Sequence, residues 1–81
     1  MPTAYILANC TVGAEEKIIN ETANLSDVIE VRGTYGVHDI FVKVESDNSE
    51  TLNHTIMSKI RKIPGITSTV TLVVIEEQGG R

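Results

Sequence analysis

The amino-acid sequence predicts an α+β domain with four strands and two helices in the order β-α-β-β-α-β, the ferredoxin-like arrangement. Three observations support this prediction. Four segments alternate apolar with polar residues or are rich in β-branched residues, which is typical of strands. Two other segments repeat their apolar residues at helical spacing, and a glycine-centred turn joins the second strand to the third. With 81 residues the chain has room for a single domain, which we expect to cover residues 1–81.

The first half of the chain predicts a strand, a helix and a hairpin. Residues 3–11 form an aromatic and aliphatic run that is apolar on both alternating faces, as in a buried strand. After a glycine, residues 14–24 place apolar side chains on one side of a helix and glutamates mostly on the other. Residues 27–34 and 38–45 then alternate as two strands. The turn at 35–37 joins them, because its glycine can adopt a positive φ.

The second half predicts a helix and a long final strand. Asp47 and Glu50 resemble a capping pair, and a leucine and three isoleucines then recur at helical spacing. Pro64-Gly65 ends this helix. Residues 66–76 are dense in β-branched side chains and predict the fourth strand, while 77–81 predict a loose C-terminal tail.

Both helices of this fold cover the same face of the antiparallel sheet, because crossover connections are right-handed. The opposite face is therefore expected to be exposed. The side chains predicted for it are apolar: Tyr5, Leu7, Phe41, Val73 and Ile75. A contiguous apolar surface is seldom left in water, and a short domain without a disulfide draws stability from association. We therefore expect a face-to-face homodimer, a dimeric α/β barrel.

Composition and charge argue against several classes of function. The net charge is −4, and the only basic cluster, Lys59 with Arg61 and Lys62, falls at a helix end where it offsets the macrodipole, so we expect no direct nucleic-acid partner. No apolar run approaches the roughly 20 residues of a membrane span, so we expect no membrane partner and a cytoplasmic location. One cysteine, Cys10, and two histidines build neither an intramolecular disulfide nor a structural zinc site. We expect no cofactor and no metal.

Two motifs point to a known family. The hairpin turn reads Gly36-Val37-His38-Asp39, and the last strand is entered through Ile63-Pro64-Gly65-Ile66 and continues as Thr69-Val70-Thr71. These motifs resemble the effector-binding domain of the Lrp/AsnC family, the feast/famine regulators of amino-acid metabolism, with histidine where the family usually has tyrosine. The resemblance covers nearly the whole chain. Because Met1-Pro2 leads straight into the first strand, the chain resembles the stand-alone RAM form, which lacks the helix-turn-helix domain.

The resemblance implies a small-molecule sensor that forms oligomers. Domains of this family dimerise through their sheets, assemble into rings of dimers such as octamers or decamers, and hold small effectors, commonly amino acids, between neighbouring dimers. It also implies other Lrp/AsnC regulators as partners and no DNA binding by the chain itself. We therefore expect an amino-acid-binding module in the regulation of amino-acid metabolism or transcription.

The chemistry of a free amino acid indicates which side chains would bind it. Its carboxylate needs N–H donors, which backbone around Gly36 can bring close, and its ammonium needs an acceptor such as Asp39. Strand hydroxyls from a neighbouring subunit would add hydrogen bonds. The predicted ligand-binding residues are Gly36, Val37, His38, Asp39, Thr67, Ser68, Thr69 and Thr71. Purely structural roles stay open for them: hairpin geometry for the glycine, backbone capping for the aspartate, and β-propensity for the threonines.

Two other functions stay open at this point. An ACT-like regulatory domain has the same element order and similar ligands. A small dimeric α+β-barrel enzyme would use His38 and Asp39 in a pocket between sheet and helices. Adjacent strand residues point to opposite faces, and the sequence shows no nucleophile with an evident base and no phosphate-binding loop. We therefore expect no catalytic residues.

Overall fold

The computed structural model describes residues 1–81 and contains the predicted elements in the predicted order. The bounds are β1 Thr3–Cys10, α1 Glu15–Ala23, β2 Val28–Gly33, β3 Ile40–Glu45, α2 Ser49–His54 with a directly following π-helical segment Thr55–Ile60, and β4 Ile66–Val73. The four strands form one antiparallel sheet in the order β2-β3-β1-β4. The ferredoxin-like α+β prediction is therefore confirmed. Neither helix reaches the length and apolarity that a membrane crossing needs.

Helix α1 is favoured both by the acidic residues in its first turn and by the helical spacing of its buried residues. Glu15 and Glu16 occupy its first turn, where negative charge is favourable, and Ile18 and Thr22 are buried against the sheet. Thr22 Oγ1 donates a hydrogen bond of 2.7 Å to the carbonyl of Ile18, so this buried hydroxyl is satisfied within the helix.

Helix α2 begins one residue later than the sequence predicts. The side chain of Asn48, not Asp47, accepts the N–H of Thr51 at 2.8 Å and caps the helix. The hydrogen-bond pattern then widens, and the N–H of Arg61 donates to the carbonyl of Ile56, five residues earlier, at 3.0 Å. Such π-helical turns insert one extra residue into a helix and recur at functional sites.

The core lies between the sheet and the two helices. Its strand residues alternate along β1 and β3, as the period of two predicts. The buried apolar residues are Ala4, Ile6, Ala8, Ile18, Ile40, Val42, Val44, Leu52, Ile56, Ile60 and Ile63. Gly65 turns the chain into β4 with φ +101°, a backbone conformation that favours glycine, and a Cβ there would also lie tightly against Ile18 Cδ1, at 3.1 Å.

The other face of the sheet carries no helix and has an apolar patch beside charged residues such as Lys43 and Arg32. Tyr5 and Leu7 of β1 and Phe41 of β3 lie on it half-buried, as predicted, and the rings of Tyr5 and Phe41 stack with centroids 5.6 Å apart. Val70 and Leu72 of β4 pair with Leu7 and Tyr5 and are 44% and 52% exposed. These five residues, from three adjacent strands, form what we call the open face.

Two residues predicted for the open face lie elsewhere. Val73 pairs with Ala4, a core residue, and therefore points to the helix side of the sheet. Ile75 lies beyond the last residue of β4, which ends at Val73 and not at Glu76. Four apolar residues in succession, 72–75, show no alternation, so only pairing with β1 decides which of them share a face.

Candidate functional site

The hairpin between β2 and β3 borders a groove of about 350 Å³. We call it the hairpin groove; its lining residues are Glu15, Gly33, Thr34, Tyr35 and Asp39. Two carboxylates, from α1 and from the end of the hairpin, therefore face one space together with backbone of the turn. This arrangement suits a cationic group of a small molecule.

Asp39 ties the hairpin to β1. Its Oδ2 accepts the N–H of Cys10 at 3.2 Å, and its own N–H donates to the carbonyl of Ala8 at 3.0 Å. The N–H of Thr34 donates to the carbonyl of Asp39 at 2.8 Å, closing the turn. One bond leaves a carboxylate with further acceptor positions. Asp39 thus has a structural role and still offers negative charge to the groove.

A negative field extends from this groove to the end of β1. Burial first, then the charges of Glu15 and Asp39, raise the pKa of the Cys10 thiol. The same two carboxylates would stabilise a positive charge placed between them. Residues 1–81 hold no group of three or more His, Cys, Asp and Glu side chains arranged for a metal ion.

Three predicted site residues just before Asp39, namely Gly36, Val37 and His38, do not line the groove. Gly36 has φ +134°, and a Cβ there would meet no atom within 4 Å, so the backbone conformation alone requires glycine. Val37 is 85% exposed. His38 is half-buried, and its Nδ1 is buried without a hydrogen-bond partner. β3 begins at Ile40, two residues later than predicted, because the turn still engages His38: its carbonyl accepts Thr34 Oγ1 at 2.7 Å.

The predicted hydroxyls of β4 lie at the opposite edge of the sheet and do not form one set. Thr69 and Thr71 pair with core residues of β1 and face the helix side. Ser68 pairs with Asn9 on the opposite side of the sheet, and its Oγ accepts a 3.3 Å hydrogen bond from Nδ2 of Asn9. Thr67 lies where the pairing with β1 is irregular. One chain therefore does not bring the hairpin residues and the β4 threonines together.

A second groove, of about 440 Å³, separates α2 and its π-helical segment from β4. We call it the helix–β4 groove; its lining residues are Ser49, Leu52, Asn53, Ile56, Met57, Arg61, Thr71 and Val73. It exists because β4 is an edge strand whose helix-facing side the helices cover only in part, so that Val73 is 63% exposed. A smaller adjoining hollow of about 100 Å³ is lined by Arg61, Ile66, Thr67, Ser68 and Thr69.

Arg61 is the charged residue of this second groove, whose lining contains no carboxylate. Its Nη1 donates to Met57 Sδ at 3.1 Å, so the guanidinium lies along the apolar wall. Sequence reasoning missed the groove because it assigned Arg61 to the helix dipole and Val73 to the open face. The signals that point to it are the i,i+4 spacing of Met57 and Arg61 and the alternation of Thr69 and Thr71.

Comparison with known proteins finds transcriptional regulators. The chain is 33% identical over 73 residues to the HTH-type transcriptional regulator FL11 of Pyrococcus horikoshii, covering 90% of this chain and 48% of that protein. It thus spans about half the length of the curated relatives it matches. The crystal structure of FFRP-DM1 is similar with a TM-score of 0.88 at 37% identity, covering 93% of this chain and all of that chain. The Neisseria meningitidis regulator NMB0573, in a structure of its L-Met complex, shares the fold with a TM-score of 0.83 at 14% identity, covering 98% of this chain and 53% of that one.

The family model for the Lrp/AsnC ligand binding domain matches residues 3–79, nearly the whole chain. The match confirms the resemblance that the hairpin and β4 motifs carry, and it decides between that family and the ACT-like alternative with the same element order. The chain belongs to the Lrp/AsnC family, of which it contains the ligand-binding domain.

Proposed function

We propose that this chain is an amino-acid-binding, oligomer-forming regulatory module, with each effector held between the hairpin groove of one protomer and the helix–β4 groove of a neighbour. One observation carries the proposal: the chain has two grooves of opposite charge at opposite edges of its sheet. A free amino acid is a zwitterion, so neither groove alone matches both of its charged ends. Two protomers placed edge to edge supply both.

The hairpin groove would take the ammonium group. Glu15 and Asp39 line it, and their shared negative field already acts on Cys10. A charged acceptor strengthens a hydrogen bond from an ammonium relative to a neutral one. The exposed turn residues Gly36 and Val37, with His38, flank this groove in the chain, and their predicted ligand contacts depend on what a neighbouring protomer brings against the turn.

The helix–β4 groove would take the carboxylate and the side chain of the effector. Arg61 offers a guanidinium that matches carboxylate geometry, and Thr71 offers a hydroxyl within the same groove. Ile56, Met57 and Val73 supply an apolar wall beside them. This lining favours amino acids with apolar side chains over charged ones, because it offers no carboxylate to a basic side chain. The L-Met complex of the neisserial regulator supports the proposal at the level of the shared fold.

The open face would provide the homodimer contact, and the groove-to-groove contact would join dimers into a ring such as an octamer or decamer. Tyr5, Phe41 and Leu72 are large apolar side chains that a facing sheet would cover. The net charge of −4 argues against direct DNA binding, so in this proposal the module acts through other Lrp/AsnC regulators. Its curated relatives are transcriptional regulators, which supports a regulatory role over a catalytic one.

A thermal-shift screen of the twenty amino acids tests the proposal. A ligand at about a hundredfold excess over its dissociation constant stabilises the folded state by about 2.7 kcal/mol. For a domain of this size that corresponds to a rise of roughly 10 to 20 °C in Tm. We expect the largest shifts from amino acids with apolar side chains. No shift with any amino acid at millimolar concentration would refute effector binding.

Mixing two variants tests whether each site is shared. Asp39→Ala damages one half-site and Arg61→Ala the other, so each variant alone should lose binding. Co-refolded together, they form some sites with an intact hairpin groove from one chain and an intact helix–β4 groove from the other. Recovery of binding in the mixture supports a shared site. Failure to recover, with the oligomer size unchanged, would refute a site shared between protomers.

A further inference from the structure

The hydroxyl of Thr55 lies where α2 changes into its π-helical segment. A buried threonine in a helix ordinarily donates to the carbonyl four residues earlier, and Thr22 does so in α1. Thr55 is equally buried, at 3% exposed, yet its Oγ1 donates outside the helix, to Oδ2 of Asp27 at 2.7 Å. The helix is therefore tied to another part of the fold at the residue where its hydrogen-bond pattern changes.

Asp27 holds three segments together. The same Oδ2 also accepts the hydroxyl of Ser46, which follows β3, at 2.6 Å, and the carbonyl of Asp27 accepts the N–H of Glu45 at 2.9 Å. Ser46 is 3% exposed, so both hydroxyl donors are removed from water. The two hydrogen bonds from the hydroxyls of Ser46 and Thr55 lower the pKa of Asp27. Burial opposes them, and the charge of Lys59 lowers the pKa by a smaller amount. The carboxylate is thus ionised and anchored by the sheet.

The π-helical turn decides where the groove residues point. The bond from the N–H of Arg61 to the carbonyl of Ile56 closes this turn. If the segment returned to α-helical hydrogen bonds, its turn would contain one residue fewer. All later positions would then rotate by roughly 100° about the helix axis. Met57 and Arg61 line the helix–β4 groove in the present arrangement. A rotation of that size would turn the guanidinium away from Thr71.

We propose that Asp27 is a positioning residue for the helix–β4 groove: by accepting the hydroxyl of Thr55 it holds the helix in the π-helical arrangement that directs Arg61 and Met57 toward β4. The inference rests on the proposed function only where it calls that groove an effector half-site. The hydrogen-bonded clamp itself, Asp27 with Ser46 and Thr55, is defined without any ligand.

Crystal structures of the ligand-free variants Asp27→Ala and Thr55→Val test the clamp directly. We expect the N–H of Arg61 to leave the carbonyl of Ile56 in both and the segment to return toward α-helix. Thr22→Val is the matched control, because it removes an equally buried hydroxyl without touching α2. Asp27→Asn should keep the π-helical turn, since its amide oxygen can accept both hydroxyls. An unchanged Arg61-to-Ile56 bond in Thr55→Val and in Asp27→Ala would overturn the proposal; should Asp27→Ala not fold, the isosteric Thr55→Val decides alone.

Titration with L-methionine links the clamp to binding. If the groove is formed in one-tenth of the molecules once the clamp is lost, the apparent affinity falls about tenfold. We expect that loss in Asp27→Ala and Thr55→Val, and little change in Asp27→Asn or Thr22→Val. A displaced π-helical turn with unchanged affinity would overturn the positioning role. If the wild-type protein binds no amino acid, the proposed function fails, and the crystal structures still decide whether the clamp sets the turn.

Discussion

Replacing Asp39 by Asn removes the charge that the hairpin groove would present to an ammonium group and little else. The amide keeps an oxygen acceptor for the N–H of Cys10, which bonds the carboxylate at 3.2 Å. The backbone bonds of Asp39 to Ala8 and Thr34 do not involve its side chain and should persist. The melting temperature without ligand should therefore move little.

The affinity for the effector should fall markedly. A hydrogen bond to a charged group contributes about 1.5 to 3 kcal/mol, which corresponds to a loss of about tenfold to somewhat over a hundredfold. Glu15 also lines the groove and keeps part of the negative field, so we expect the lower half of that range. Isothermal calorimetry with L-methionine measures the change directly.

Glu16→Gln is the matched control, because it removes the same charge from the exposed side of α1 outside the hairpin groove. It should leave the affinity unchanged. If Asp39→Asn binds L-methionine as tightly as the wild-type protein, the carboxylate serves only the turn and the ammonium assignment is wrong. If Asp39→Asn unfolds, the Cys10 contact needs the full charge, and Glu15→Gln becomes the test of the groove.

Three further predictions concern assembly, DNA and pH. Light scattering should show at least a dimer at micromolar concentration, and a monomeric wild-type mass would contradict the dimer. Phe41→Lys should dissociate or unfold the dimer, because the substitution would bury an unpaired charge on the open face, whereas Val37→Lys, at an exposed position, should not. The pure protein should not retard a promoter fragment in a gel near physiological salt, and specific retardation would contradict the expected lack of DNA binding. Hydrogen bonds from Ser46 and Thr55 lower the pKa of Asp27 in the folded protein. The ionised carboxylate therefore contributes to the free energy of unfolding at pH values above its pKa in the unfolded chain, about 3.9, and this contribution is lost as the pH falls toward the lower pKa of the folded protein. Urea midpoints should therefore decline over that range in the wild-type protein and less steeply in Asp27→Asn; equal slopes would contradict the pKa direction.

Local sequence patterns were sufficient for the element order and for most of the core. In β3, the period of two places Ile40, Val42 and Val44 on one face, and all three are buried. The residue type of Gly36 predicts the turn, and its positive φ agrees. These signals are readable because side-chain period and glycine freedom depend only on residues close together in the chain.

The candidate site was predictable only in part. Asp39 lines a groove while its predicted ligand contact stays a prediction, and its bond to Cys10 joins residues 29 positions apart that no local pattern links. The helix–β4 groove depends on how far β4 extends past the helices, and hence on Val73 facing the helix side. From the sequence alone, Arg61 is an ordinary cation at a helix end, because β4, which completes the groove around it, comes later in the chain.

The sequence by itself determined which segments are strands and helices, where the hairpin turns, and that Tyr5, Leu7 and Phe41 share the helix-free face of the sheet. The tertiary structure alone decided the phase of β4, the π-helical turn before Arg61 and the convergence of Ser46 and Thr55 on Asp27. The physical reason is the range of the interactions. A period of two or of 3.6 in the apolar residues depends only on residues close together in the chain. The register of an edge strand and the acceptor of a buried hydroxyl depend on groups that meet only when the chain has folded.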